Sequence, residues 1–177
     1  MRYTKSILLT AISTLAVLTG LAAHGQNAAA AQQMSAADFV SQATIAGKTE
    51  VLAAHVALKN SQAADVHSFA RRMIRDHTKA NVKLASIATS KGLAVPTHVD
   101  GKHRAVVDSL RGQTGAAFDA AYAQQMVSDH EGAVALFNSE AAATTDPDLS
   151  AFAQKTLPTL EHHKAMADKL AANHPPQ

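Results

Sequence analysis

The 177-residue chain contains no cysteine and no tryptophan, and aromatic side chains make up only 4% of it. Without cysteine there is no disulfide, no thiolate nucleophile or ligand, and no lipid-bearing cysteine at a processed N-terminus. The few aromatics are not interleaved with a basic stripe, which argues against a nucleic-acid partner. The alternating apolar–polar strands of a β-barrel are missing. So are a phosphate-cradling glycine loop, the zincin HExxH and a coherent serine triad.

Hydrophobic residues form 47% of the chain, enough for one domain with a real core. The first segment stands apart. Arg2 and Lys5 precede a mainly apolar, uncharged run from Ile7 to Ala23, and small residues follow. This is the pattern of a secretory signal peptide, with cleavage expected between Ala23 and Ala31. Polar interruptions such as Thr10 and Ser13, and the lack of a cationic flank, speak against a stable transmembrane anchor. The overall formal charge of +2 comes from this leader: without Arg2 and Lys5, 14 basic side chains face 14 acidic ones. The expected organisation is a signal peptide over 1–25, a flexible lead-in over 26–35, a helical bundle over 36–172 and a tail over 173–177, in a periplasmic or secreted protein.

Apolar residues recur with helical rather than strand spacing. The first helix is predicted from Ala36 to Asn60, with Ser35 as N-cap. The second runs from Ala63 to Ser90, along Val66, Phe69, Met73, Leu84 and Ile87. Lys91-Gly92 ends it, with Pro96 just beyond. A crossover from Gly92 to Gly115 holds a short helix over His98 to Leu110. The third long helix spans Ala116 to Ala143. The fourth starts at the Asp146-Pro147 turn and continues to Ala172, with Pro158 marking a kink or a new helix start. The predicted fold is all-α: a ferritin-like four-helix bundle whose long crossover makes helices two and three parallel. A simple up-down bundle is the alternative.

Two of these helices repeat one phrase. Met73-Ile74-Arg75-Asp76-His77-Thr78-Lys79-Ala80 and Met126-Val127-Ser128-Asp129-His130-Glu131-Gly132-Ala133 both read M-x-x-D-H-x-x-A. An aromatic precedes each Met by four, and a large apolar residue follows each His by seven, at Leu84 and Phe137. Each histidine falls about 40° round the helix from its Met, inside the apolar stripe. His163 shares a face with Leu160, Ala167 and Leu170. Glu50 lies among Ala43, Ala46, Ala53 and Ala57. Each long helix thus turns one titratable group inward: Glu50, His77, His130 and His163. His55 and His162 fall outside these stripes, and His98 with His103 makes only a weak pair.

The axial positions agree in part. His130 and His163 are centred on the Asp146-Pro147 turn and should be level. Glu50 and His77 are centred about two residues past the Asn60-Ser61 turn, an offset of about 6 Å for straight helices. Buried ionisable groups need partners. Three imidazoles and a carboxylate are credible ligands for a divalent transition metal such as zinc, copper or iron, with Asp76 and Asp129 as supporting partners or replacement ligands. Three other readings stay open. One is a structural or interaction domain with a hydrogen-bonded polar core. Another is a pH-sensitive packing site or a pocket for some other ligand. The third is a metal-dependent hydrolase or oxidoreductase, for which nothing specifies a substrate. The apolar faces would also serve a homodimer. No envelope partner is legible.

The same segments carry a family resemblance. RMIRDHTKAN within Phe69–Leu84, FDAAYAQQMVSDHE within Phe118–Phe137 and the later LPTLEHH resemble the DUF4142 family, a bacterial, exported, ferritin-like family of unknown function. The resemblance covers Ala37 to Ala172. It implies a ferritin-like helical fold and a periplasmic or envelope location. It also places Glu50, Asp76, His77, Asp129, His130, Glu131 and His163 at the family's characteristic polar positions. The Glu-x-x-His ligand pattern of di-iron ferritin-like proteins does not occur in this chain, which argues against iron storage or di-iron oxygen chemistry.

Overall fold

The computed structural model describes residues 34–143 and 145–176. The expected leader over 1–25 and the lead-in as far as 33 lie outside the described residues. The chain divides into two units, Met1–Gln32 and Gln33–Gln177. Five helices lie in the second unit: α1 (Ala36–Asn60), α2 (Ala64–Ser90), α3 (Gly101–Arg111), α4 (Gly115–Ala142) and α5 (Pro147–Asn173). Among the described residues there is no strand, and no helix is long and apolar enough to cross a membrane.

Local chemistry sets the boundaries. The Ser35 hydroxyl accepts from the Asp38 amide at 3.1 Å and opens α1. Gly92, with φ of 68°, supplies the left-handed residue that ends α2. The short crossover helix begins later than the expected His98, because Asp100 is its N-cap and accepts from the His103 amide at 2.9 Å. Asp146 caps α5 by accepting from the Asp148 and Leu149 amides, each at 3.1 Å, and Pro147 occupies the first turn, where no amide hydrogen is needed. Pro158 starts no new helix: α5 runs through it, with the ring on an exposed face.

The interior has two apolar layers. One contains Ala53 and Ala57 of α1, Phe69 and Met73 of α2, Tyr122 and Met126 of α4, and Ala167 and Leu170 of α5. The other contains Phe39 and Ala43 of α1, Leu84 and Ala88 of α2, Ala133 and Phe137 of α4, and Leu149 and Leu160 of α5. Burying each of the larger side chains stabilises the fold by about 1.5–3 kcal/mol. Chain order follows from this layering: α2 and α4 pass from the first layer to the second, and α1 and α5 pass the opposite way.

Polar clasps at both ends agree. Lys91 at the end of α2 meets Asp146 and Asp148 at the start of α5, at 3.0 and 2.7 Å. Asp65 at the start of α2 meets His174 just past the end of α5, at 3.1 Å. Helices α2 and α5 therefore run antiparallel.

Candidate metal centre

Each long helix crosses the boundary between the two apolar layers once, and at that crossing it carries Glu50, His77, His130 or His163. All four are buried, with relative exposures of 1%, 6%, 0% and 1%. The imidazole centroids form a nearly equilateral triangle: 5.6 Å for His77–His130, 5.3 Å for His77–His163 and 5.5 Å for His130–His163. One ring nitrogen from each of the three lies within 4.8 Å of the others. Four nitrogen or oxygen ligands in a tetrahedron with bonds of about 2.1 Å stand about 3.4 Å apart, so only a small contraction separates this cluster from a binding geometry.

Hydrogen bonding fixes which nitrogens are free. His130 Nδ1 lies 2.8 Å from the Met126 carbonyl oxygen. A carbonyl only accepts, so Nδ1 carries the proton and Nε2 keeps its lone pair. His163 Nε2 lies 3.1 Å from Asp76 Oδ2, and the same logic leaves His163 Nδ1 as the lone-pair nitrogen. His77 Nε2 approaches Glu50 Oε2 to 2.7 Å, a buried charge pair. Glu50 Oε1 lies 4.0 Å from His130 Nε2. His130 Nε2, His163 Nδ1 and Glu50 Oε1 are thus buried without a hydrogen-bond partner. The ligand atoms that lie within 4.8 Å of one another come from the three histidines, and Glu50 borders this group through His77 and His130.

Electrostatics divides the set. Burial drives His163 down to about 4, and the neighbouring His77 adds to the shift against the opposing pull of Asp76. His163 is therefore a neutral imidazole near neutral pH, the form that binds metal. Burial also pushes His77 down, but the Glu50 carboxylate outweighs it and holds the pKa above the ordinary value. Glu50 is the mirror case: burial pushes it up, and the surrounding imidazoles bring it below the usual range.

The sequence expectations meet mixed fates around this core. Asp76 supports His163, with Arg75 Nε donating to its other oxygen at 3.0 Å. Asp129 is not hydrogen-bonded to any of the three histidines. It accepts from Gln125 Nε2 at 2.8 Å, and burial together with the Glu50 charge raises it to about 6. The partner of His130 is instead a backbone carbonyl, which side-chain motifs do not reveal. Glu131 is exposed and lies 3.7 Å from Lys164. His55 and His162 are exposed, as their helical phase places them, and His103 pairs with Asp100 on the crossover.

The expected offset between Glu50 and His77 disappears for a stereochemical reason. Helical side chains lean toward the N-terminus of their own helix. Glu50 is nearer the turn and leans away from it, whereas His77 is farther away and leans back toward it. The two functional groups meet although their backbones are not level.

Two crystal structures share this helical fold. A DUF305 fragment from Deinococcus radiodurans aligns with a TM-score of 0.69 at 16% identity, over 77% of this chain and 95% of that one. A DUF305 protein from Streptomyces coelicolor aligns with a TM-score of 0.67 at 13% identity, over 78% and 93%. No match was found among curated proteins. The model of DUF4142, a domain of unknown function, matches residues 21–170, and the chain belongs to that family.

Proposed function

We propose that this protein is a metal-binding helical bundle of the bacterial envelope, holding one divalent transition metal between Glu50, His77, His130 and His163. The observation that carries this reading is the buried cluster of His77, His130 and His163, each of which offers a ring nitrogen within 4.8 Å of the others. A polar core built only for packing would satisfy its groups with one another, because an unpaired buried polar atom costs about 1–3 kcal/mol. Here one ring nitrogen of His163 is satisfied on Asp76 and one of His130 on the Met126 carbonyl, and the other nitrogen of each ring is buried without a partner. That is the division of labour of a ligand set and its supporting partners. Three nitrogens and a carboxylate suit zinc, copper or iron.

The proposed architecture is ferritin-like, with α2 and α4 parallel across the α3 crossover. The order in which the helices pass the two apolar layers supports it. The proposed location is the periplasm or the exterior after loss of the leader. Intact mass of the exported protein should place its first residue after Ala23, and a membrane-bound product retaining residues 1–20 would contradict this.

The metal reading is tested by elemental analysis of protein purified without an affinity tag or chelator, followed by titration of the stripped wild type and a His77→Ala/His130→Ala variant. One equivalent of metal on the wild type, and none on the folded variant, is expected. Failure of the wild type to bind zinc, copper or iron tightly would overturn the proposal in favour of a structural polar core.

A further inference from the structure

Next to the Glu50–His77 edge of the cluster is a cavity of about 20 Å³, bordered also by Gly47, Asn81, Leu84 and Phe137. A water needs about 10–15 Å³ by this measure, so the space takes one very small molecule. Most of its wall is apolar. The polar side chains that line it are the two proposed ligands, Asn81 and Thr156, whose hydroxyl already donates to the Phe152 carbonyl at 2.7 Å.

Asn81 stands one helical turn beyond His77 on α2, and Gly47 stands three residues before Glu50 on α1. These two positions are built for each other. A Cβ at Gly47 would lie 2.6 Å from Asn81 Oδ1 and 3.0 Å from Nδ2. Only glycine lets the amide lie against α1 in this place. Glycine in a helix interior costs about 1 kcal/mol relative to alanine, so the local sequence gives up helix stability to seat the amide at the cavity. Asn81 is half-buried, and among the described residues its amide has no hydrogen-bond partner within the protein.

We propose that this cavity receives one small exogenous ligand beside the metal, of no more than about three heavy atoms, with the Asn81 amide hydrogen-bonding to it and Gly47 holding that amide in place. The inference rests on the metal reading above and deepens it: the cavity borders Glu50 and His77, so a molecule seated there would lie beside the metal as a fifth donor. A site of this size admits small neutral molecules or anions and excludes bulky ones, with Leu84 and Phe137 among the side chains that border it.

Cobalt(II)-loaded mature protein and azide supply the test. Metal content is measured first. Azide should then shift the visible cobalt bands of the wild type with saturation at one equivalent, whereas imidazole, too large for the cavity, should not. Gly47→Ala displaces the amide without weakening the helix, and Asn81→Ala removes it. Both should keep one equivalent of cobalt and bind azide about fivefold more weakly or worse, the scale of one lost hydrogen bond. An unchanged wild-type spectrum, or equal azide affinity in both variants and wild type, would overturn this inference and leave the metal reading standing. A wild type that takes up no cobalt, zinc, copper or iron would overturn both.

Discussion

Glu50 Oε2 and His77 Nε2 stand 2.7 Å apart, with side-chain exposures of only 1% and 7%, and the other Glu50 oxygen lies 4.0 Å from His130 Nε2. In metal-free protein the two make a buried ion pair that neither side chain can surrender cheaply. Removing one partner of a buried pair leaves the other charge uncompensated, a loss of about 3–5 kcal/mol.

Glu50→Gln in chelator-stripped protein is accordingly expected to lower unfolding free energy by about 3 kcal/mol. A Glu50→Gln/His77→Leu double variant should recover much of that loss, since neither charge remains. Urea unfolding of the three proteins checks this. Equal destabilisation by the single and double variants would show that the pair is not electrostatically coupled.

Asp76 acts on the centre through His163, by holding its Nε2 proton. Asp76→Asn is expected to leave the fold intact and weaken metal binding about 10- to 100-fold, the usual effect of removing a supporting carboxylate. Competition with a chromophoric chelator measures it. Asp129→Asn should have a much smaller effect, because Asp129 bonds to Gln125 and to none of the three histidines. Equal losses in the two variants would contradict the assigned roles.

The end clasps make an acid-sensitive contribution. At Asp65 and Asp146, partial burial pushes the carboxyl up, but hydrogen bonds outweigh it and hold both below the usual 3.8: His174, Asn173 and a backbone amide at Asp65, and Lys91 and backbone amides at Asp146. A depressed folded pKa means that the contribution is present above 3.8 and is lost as pH falls through the folded value. Asp65→Asn and Asp146→Asn should therefore destabilise the protein at pH 6 and converge with wild type near pH 2–3. Asp146→Ala, which also loses the α5 cap, should cost about 1 kcal/mol at every pH at which the wild-type carboxylate is ionised. Thermal unfolding across pH tests both statements.

Helical phase made most of the helices and their inward side chains legible. Met73, His77 and Leu84, like Met126, His130 and Phe137, share a stripe at 3.6-residue periodicity, and the stripe places each imidazole inward regardless of how the helices are joined. Axial level was harder to read. Counting residues from the Asn60-Ser61 turn separates Glu50 from His77, because it follows backbone positions and ignores the lean of side chains along the helix. The supporting bonds were legible only where a side chain makes them. Asp76 was identifiable as a partner, whereas the Met126 carbonyl is a backbone group and leaves no trace in residue type. The repeat of Asp-His also suggested equal roles for Asp76 and Asp129. Their different neighbours, His163 across the bundle for one and Gln125 on its own helix for the other, separate them. The fit between Gly47 and Asn81 depends on the approach of α1 to α2 and could not be read from either helix alone.

X-ray absorption at the metal edge of the loaded, tag-free protein tests the central claim most directly. The account predicts one metal per chain, nitrogen and oxygen scatterers at about 2.0–2.2 Å, and outer-shell scattering from three imidazoles that falls to two in a His163→Ala variant. A stoichiometric metal with no more than one imidazole, or a wild-type spectrum unchanged by His163→Ala, would contradict it.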